Sequence, residues 1–198
     1  MKKRQLEIAL QRLEQLAGRS AELEQYVTPA DVAADILWEA YVRGDIEGKA
    51  VADLGCGNGV FVIGAKLMGA SRAFGVDIDK KAVGTAQRNA KTLGLEVEVV
   101  EGDVTAVNGR FDTVIQNPPF GAQRRHADRA FIKKALDLAP VAYSLHNDGS
   151  QEFVGTMVSA LGGMSEPVKR YKFEIPYAFE FHRKAKESIS VVLLRFKR

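Results

Sequence analysis

The residue run best suited to chemistry is Gln116-Asn117-Pro118-Pro119-Phe120-Gly121, which follows an apolar stretch. An amine conjugated to a ring or carbonyl is a poor nucleophile because its lone pair is delocalised. Asn117 offers a side-chain oxygen and Pro118 a backbone carbonyl, and the prolines restrict the directions in which both can point. Phe120 offers a ring on which a planar base can stack. The pattern predicts acceptors for both hydrogens of an NH2 group, and the candidate catalytic residues are Asn117, Pro118, Pro119 and Phe120. A Pro-Pro turn that merely ends a strand explains the prolines but leaves Asn117 unexplained.

A glycine-rich turn, Asp53-Leu54-Gly55-Cys56-Gly57-Asn58-Gly59, follows another apolar run and opens a helical pattern. Glycines allow a sharp turn and a close approach of backbone to ligand. The spacing departs from the G-x-G-x-x-G of dinucleotide-binding proteins, because its third glycine would fall on Val60. A carboxylate at Asp53 suits a cationic amino-acid ligand, whereas a diphosphate prefers bare amides. The alternative is that Asp53 only caps the loop.

Two further acids, Asp77 and Asp103, follow the next two apolar runs. In an open α/β sheet the carboxyl ends of the strands bind ligands. A carboxylate at Asp77 can accept both hydroxyls of a ribose, and one at Asp103 can accept an adenine amine, with Ile78 and Val104 flanking the ring. Each acid alone is more often a loop or cap residue, but three at successive strand ends indicate a nucleoside site.

The elements that position these residues alternate between short apolar runs and amphipathic segments. Predicted strands cover 50–54, 73–77, 97–100, 112–115, 141–145, 168–175 and 189–196. Predicted helices cover 4–17, a segment from Pro29 with Thr28 as its N-cap, and 60–68, 80–93, 131–138 and 152–161. Such alternation favours a mostly parallel sheet with helices on both faces. The last two strands have no helix between them and must be antiparallel.

One domain over residues 1–198 is expected, with a helical extension at 1–47 and a core at 48–198. In a 3-2-1-4 strand order, residues 102–110 must cross the sheet with little or no helix. Ordinary composition excludes disorder, and no apolar run approaches the roughly 20 residues of a membrane span. The single cysteine, Cys56, excludes an internal disulfide framework, and we expect a cytoplasmic protein. Because the chain has only one cysteine and three histidines, we expect no bound metal.

Basic residues are concentrated in two places, although the whole chain carries a formal charge of only +3. The stretch 169–198 holds nine Lys and Arg against three Glu, and a second cluster lies between Arg124 and Lys134. Such patches are typical of nucleic-acid contacts, although a solvated basic face explains the charge equally well. The candidate nucleic-acid-binding residues are Arg124, Arg125, His182, Arg183, Lys184 and Lys186.

Five motifs together resemble one known family. They are Glu24-Gln25-Tyr26-Val27-Thr28, Ala52-Asp53-Leu54-Gly55-Cys56-Gly57, Asn117-Pro118-Pro119-Phe120-Gly121, Tyr143-Ser144-Leu145-His146 and Phe181-His182-Arg183-Lys184. The sequence resembles the small archaeal and eukaryotic RNA methyltransferases that modify the N6 amine of an adenine in small-subunit ribosomal RNA. This resemblance implies a Rossmann-like class I methyltransferase fold with a seven-stranded, mostly parallel sheet, an antiparallel C-terminal hairpin and an N-terminal helical extension.

The resemblance also implies a cofactor, S-adenosylmethionine (SAM), and its contacts. The N-terminal segment would close over the cofactor, the glycine loop would line its methionine end, Asp77 would hold its ribose, and Asp103 and Val104 its adenine. The cofactor-binding residues expected on both grounds are Gln25, Tyr26, Thr28, Asp53, Gly55, Gly57, Asn58, Gly59, Val60, Asp77, Ile78, Asp103 and Val104. Structured RNA would be the substrate, and a small zinc-binding activator protein, required by eukaryotic relatives, would be a partner. No role follows for His146.

Three rival functions remain open on the sequence. A protein methyltransferase acting on glutamine N5 uses a similar tetrapeptide, but such enzymes usually carry Tyr in place of Phe120 and a larger N-terminal substrate domain. Methylation of guanine N2 in RNA is compatible with the same residues. A SAM-binding RNA scaffold without catalysis would not need both Asn117 and Phe120. DNA is disfavoured because too little chain remains for a domain that reads the major groove.

Overall fold

The computed structural model describes residues 1–16, 28–119, 128–175 and 187–198. The strands are β1 (Ala50–Leu54), β2 (Arg72–Asp77), β3 (Glu98–Glu101), β4 (Thr113–Gln116), β5 (Val141–Asn147), β6 (Met164–Ile175) and β7 (Glu187–Lys197). The helices are α1 (Lys3–Gln11), α2 (Ala30–Val42), α3 (Val60–Leu67), α4 (Lys80–Thr92), α5 (Asp128–Leu138) and α6 (Gln151–Ala160). No helix within these ranges is long and apolar enough to cross a bilayer.

The strands form one seven-stranded sheet in the order β3-β2-β1-β4-β5-β7-β6. Strands β1 to β5 are parallel, β7 is antiparallel to β5, and β6 is antiparallel to β7. The mostly parallel sheet and the antiparallel C-terminal hairpin are therefore confirmed, and the first four strands have the 3-2-1-4 order that the sequence analysis considered. Leu54 at the end of β1 lies between Val76 of β2 and Gln116 of β4, so the glycine loop and the tetrapeptide begin at adjacent points of one edge.

The connection from β3 to β4 contains a single turn of 3-10 helix, Val104–Ala106. Asp103 caps this turn, since its side chain accepts a hydrogen bond from the Thr105 N–H. The chain therefore crosses from β3 to β4 as the sequence predicts, through one short turn, whereas the other parallel strands are connected by full helices.

Two apolar clusters cover the two faces of the sheet. One joins α1 to α4 with the sheet, and its buried side chains include Leu6, Leu37, Ile63, Ile115 and Tyr143. The other joins α5 and α6 with the opposite face, and its buried side chains include Val114, Ile132, Leu136, Val158 and Phe196. Because α1 and α2 share a cluster with the strands, the N-terminal extension is anchored to the sheet by buried apolar contacts.

Several element boundaries differ from the predicted ones. The first helix ends at Gln11 instead of residue 17, and α5 begins at Asp128, three residues before its predicted start. Strand β6 begins at Met164, with an irregular register between Pro167 and Lys169, because Pro167 has no N–H to donate to the ladder. Such ends are difficult to predict because fraying and capping decide them.

The prediction that Thr28 is the N-cap of the second helix is wrong. Pro29 occupies the N-cap position of α2, and no side-chain cap bond is formed there. The Thr28 hydroxyl instead accepts a hydrogen bond from Asn117, 89 residues away.

Candidate active site

The glycine loop depends on backbone conformations that side chains disfavour. Gly57 has a φ of 54°, and its N–H donates to Asp77 Oδ2 at 2.8 Å. Gly59 has a φ of 88° at the start of α3, where an added Cβ would lie 3.0 Å from the Cβ of Ala86. Both positions require glycine, the second on steric grounds as well. The loop is thereby bound to the end of β2 and packed against α4.

Asp53 is a buried carboxylate with one oxygen in use and one to spare. It is 1% exposed, and Oδ2 accepts a hydrogen bond from the Val62 N–H at 3.0 Å. Within the part of the chain that the structure describes, Oδ1 is buried and has no hydrogen-bond partner. Burial, with a smaller contribution from nearby Asp77, raises the pKa of Asp53 to about 8. Asp53 is therefore largely protonated at neutral pH in the ligand-free protein, and a cationic ligand would stabilise its ionised form, whereas a cap alone would use only one oxygen.

Asp77 is held by two backbone N–H groups. Its Oδ1 accepts from the Asp79 N–H at 2.9 Å and its Oδ2 from the Gly57 N–H at 2.8 Å. Burial raises the pKa of Asp77, and these two hydrogen bonds partly oppose the shift. Each carboxylate oxygen has a second lone pair, so Asp77 can also accept ribose hydroxyls. Asp79 caps α4 by accepting from the Lys81 N–H, as predicted.

Asp103 and its neighbours lie beyond the end of β3. Asp103 is exposed, and its Oδ1 accepts from both the N–H and the hydroxyl of Thr105, at 2.7 and 2.6 Å. These hydrogen bonds lower the pKa of Asp103, so the residue is a carboxylate at neutral pH. Val104 is buried, whereas Ile78 is 58% exposed. Their predicted place around an adenine ring stays a prediction.

The N-terminal segment is tied to the glycine loop by a residue that the sequence analysis missed. The Glu14 N–H donates to Asn89 Oδ1 at 2.7 Å, and the Glu14 carbonyl accepts from the side chains of Asn58 and Asn89, both at 3.2 Å. The Glu14 carboxylate also pairs with Arg88 on the surface. The Asn58 side chain therefore holds the N-terminal segment, and the Asn58 carbonyl accepts from Asn89 at 2.9 Å, so its predicted contact with a cofactor stays a prediction.

The tetrapeptide continues β4 beyond Gln116. Asn117 is half-buried and Pro118 is buried. The Asn117 Nδ2 donates to the Thr28 Oγ1 at 3.0 Å, and Thr28 is only 4% exposed. In this arrangement the nitrogen branch of the amide faces Thr28, and the carbonyl branch faces away from it. Thr28, expected as a cofactor contact, thus lies directly against the candidate catalytic residue.

A buried polar chain supports the end of β4. Gln116 Nε2 donates to Ser144 Oγ at 2.9 Å, and Ser144 Oγ lies 2.7 Å from His146 Nε2. All three residues are at most 1% exposed. Burial lowers the pKa of His146 to about 3, so the ring is neutral. The other ring nitrogen, Nδ1, lies 4.0 Å from Asp128 Oδ2.

Ser144 and His146 belong to the motif Tyr143-Ser144-Leu145-His146, which contributed to the family resemblance but to which the sequence analysis assigned no function. The buried hydrogen-bonded residues could have been predicted from the parallel pairing of β4 with β5, which sets Gln116 beside Ser144. Alternation along a strand then puts Gln116, Ser144 and His146 on one face of the sheet. The remaining predicted site residues, namely Gln25, Tyr26, Phe120, Arg124, Arg125, His182, Arg183, Lys184 and Lys186, lie outside the described residues.

Known proteins share this fold and much of this sequence. Residues 28–157 match the family model of the methyltransferase small domain. An uncharacterised protein of Methanocaldococcus jannaschii, MJ0284, is 39% identical over the whole chain and 95% of its own length. The rRNA N(6)-adenosine-methyltransferase METTL5 of Danio rerio is 33% identical over 99% of both chains. The crystal structure of PH1948 from Pyrococcus horikoshii, a candidate RNA methyltransferase, has a TM-score of 0.92 at 42% identity, covering 100% of this chain and 98% of its own. The chain therefore belongs to the methyltransferase small domain family and has the Rossmann-like class I methyltransferase fold.

Proposed function

We propose that this protein transfers a methyl group from SAM to the N6 amine of an adenosine in small-subunit ribosomal RNA. The observation that carries the proposal is the pairing of β1 with β4, in which Leu54 lies opposite Gln116. It sets a glycine loop with a spare buried carboxylate beside an Asn-Pro-Pro turn. The names of full-length relatives, such as the rRNA N(6)-adenosine-methyltransferase METTL5 of Danio rerio, support the same substrate.

The residues at the glycine loop fit SAM. Asp53 has a buried oxygen available for a cationic group, and at Gly57 nothing lies within 4 Å of the position that a Cβ would take. Asp77 can accept ribose hydroxyls while its two backbone bonds hold it in place. When bound, SAM supplies a methyl carbon attached to a positively charged sulfur.

The tetrapeptide activates the amine through neutral acceptors. Asn117 Oδ1 and the Pro118 carbonyl accept the two amine hydrogens and draw the nitrogen out of conjugation with the ring. The same oxygens stabilise the positive charge that develops on the nitrogen. Alignment accounts for much of the remaining barrier, and the rigid Pro118-Pro119 pair favours it. Phe120 supplies the ring on which the base stacks.

The test is methylation with radiolabelled SAM, in which ribosomal RNA, DNA and release-factor protein are offered in parallel. We expect label in ribosomal RNA, and digestion followed by mass spectrometry should identify N6-methyladenosine. The Asn117→Ala variant should transfer far less label than the wild type while it still binds S-adenosylhomocysteine. Label on guanine N2, label on a protein glutamine, or binding of SAM and RNA without transfer would each replace the proposal with one of the rivals.

The basic C-terminal residues are proposed to grip the RNA backbone. Replacing Arg183, Lys184 and Lys186 with Ala should weaken RNA binding and flatten its dependence on salt, because fewer counterions are released. A matched control removes three exposed charges elsewhere, from Arg4, Arg12 and Lys91, and should leave the salt slope unchanged. An unchanged slope in the first variant would mean that these residues form only a solvated face.

A small zinc-binding activator protein is proposed as a partner in the cytoplasm. The β3 edge offers a place for it, since Val100 is 37% exposed on that edge strand and Ile78 is exposed nearby. The opposite edge strand, β6, carries Lys169, Arg170 and an irregular register, features that discourage pairing with another chain. Replacing Val100 with Lys should abolish co-purification with the activator if this edge is the contact.

A further inference from the structure

We propose that Thr28 is a positioning residue, which holds the side-chain amide of Asn117 by its nitrogen and so keeps its oxygen directed toward the acceptor amine. This inference rests on the proposed function. It is carried by the 3.0 Å hydrogen bond from Asn117 Nδ2 to Thr28 Oγ1. Thr28 is thereby given a role beyond its expected contact with the cofactor.

Thr28 is held rigidly where it meets Asn117. Thr28 is 4% exposed. It directly precedes Pro29, whose ring restricts the backbone, and α2 begins at the residue after Pro29. Helix α2 is anchored by a buried face, whose side chains include Ile36 and Leu37. On the other side, the side chain of Gln116, just before Asn117, is bound to Ser144. The contact between Thr28 and Asn117 therefore joins two segments that are each held in place separately, one by α2 and the other by the bond between Gln116 and Ser144.

The orientation of the amide decides whether Asn117 can accept. The two branches of an Asn side chain have nearly the same shape, but one is a donor and the other an acceptor. An amide turned by 180° would present N–H groups to an amine that itself carries two hydrogens. The Thr28 hydroxyl gives Nδ2 an acceptor, and burial makes the loss of that acceptor costly.

Two other roles for Thr28 predict different results. A residue that only contacts the cofactor would change cofactor affinity and leave the maximal rate unchanged. A residue that only packs in the core would change stability and leave the environment of the Asn117 amide unchanged. The positioning role instead predicts a loss in kcat, with S-adenosylhomocysteine affinity retained and with altered NMR signals of the Asn117 side-chain NH2.

The experiment compares Thr28→Val, which removes the hydroxyl at nearly constant shape, with Thr28→Ser, which keeps it. A control, Thr113→Val, makes the same change at a buried threonine at the other end of β4, where the hydroxyl bonds to the Asp45 carbonyl at 2.6 Å. Each variant is assayed for kcat on ribosomal RNA, for S-adenosylhomocysteine binding by calorimetry, and for the Asn117 side-chain resonances in ¹⁵N spectra.

We expect Thr28→Val to lower kcat about 10- to 100-fold, the effect of one lost hydrogen bond at a reacting group. Its Asn117 NH2 signals should shift and exchange faster with water, while Thr28→Ser and Thr113→Val keep wild-type signals and rates near wild type. The inference is overturned if Thr28→Val keeps the wild-type kcat and Asn117 signals, if its cofactor affinity falls as far as its kcat, or if Thr28→Ser is equally impaired. Should the wild-type chain methylate no RNA, the proposed function fails, but the NMR comparison still decides whether Thr28 holds the Asn117 amide.

Discussion

The two halves of the candidate site are built from different chemical groups. On the side of β1 to β3, ionisable carboxyl groups dominate, and Asp53, Asp77 and Asp103 each accept a hydrogen bond from a backbone N–H. On the side of β4 and β5, the groups are neutral, and Asn117 and Ser144 are joined to other side chains. The first half suits a cation and a ribose, and the second suits a polar but uncharged base edge.

The halves also differ in how far along the chain their partners lie. Asp77 is bonded two residues ahead at Asp79 and 20 residues back at Gly57, and Asp53 nine residues ahead at Val62. Gln116 is bonded to a residue 28 positions away, and Asn117 to one 89 positions away. A carboxylate can be oriented by its own turn, whereas a neutral amide needs a partner of the right polarity, and tertiary packing has to supply it. The predictions below separate the two halves, from the largest expected effect to the smallest.

Replacing Asn117 with Ala should damage only the acceptor half. We expect kcat to fall about 100- to 1000-fold, as when one preorganised group is removed from a developing charge. Single-turnover methylation measures the loss, and calorimetry should find S-adenosylhomocysteine affinity unchanged. A parallel loss of cofactor affinity would mean that the two halves are not separable.

Replacing Asp77 with Asn should damage only the cofactor half. Charged hydrogen bonds to ribose hydroxyls contribute about 1.5–3 kcal/mol, so S-adenosylhomocysteine affinity should fall roughly 10- to 100-fold in calorimetry. The control is Asp79→Asn, which removes a charge two residues away but keeps a residue that can cap α4. Equal losses in both variants would point to general electrostatics rather than a specific ribose contact.

Replacing Ser144 with Ala should destabilise the fold from the acceptor half. The change leaves buried nitrogens of Gln116 and His146 without partners, which costs about 1–3 kcal/mol in the free energy of unfolding. Urea titration measures the change. The control is Ser150→Ala, whose exposed hydroxyl bonds to the Asn147 carbonyl and whose loss should cost less than about 0.5 kcal/mol. Equal stability of the two variants would mean that the hydrogen bonds among Gln116, Ser144 and His146 do not stabilise the fold.

Asp53 should make the stability of the ligand-free protein depend on pH. Its pKa is about 8 in the fold, whereas an unfolded Asp releases its proton near 3.9. Between these values the folded state binds the extra proton, so the free energy of unfolding should fall as pH rises. Asp53→Asn resembles the protonated form, and its advantage over wild type should grow by about 1 kcal/mol or more between pH 5 and 8. A constant difference across that range would mean that Asp53 is ionised throughout.

Much of the cofactor half could be predicted because its signals are local. The turn from Asp53 to Gly59, the acids at successive strand ends and the helix cap at Asp79 each depend on residues within a few positions or on the alternation of strands and helices. The element boundaries were less accurate, as the early end of α1 at Gln11 shows. Helix ends depend on capping and packing that a hydrophobic period does not report.

The sequence alone identified the fold class from the alternation of strands and helices, and it identified the glycine loop and the Asn-Pro-Pro turn from patterns within a few residues. Only the tertiary structure decided that Thr28 meets Asn117, that Glu14 is bound by Asn58 and Asn89, and that Gln116, Ser144 and His146 form one buried chain. Apart from the Ser144–His146 bond within β5, these contacts join residues 28 to 89 positions apart. Helix packing and strand register bring such side chains together, and neither can be read from a local pattern.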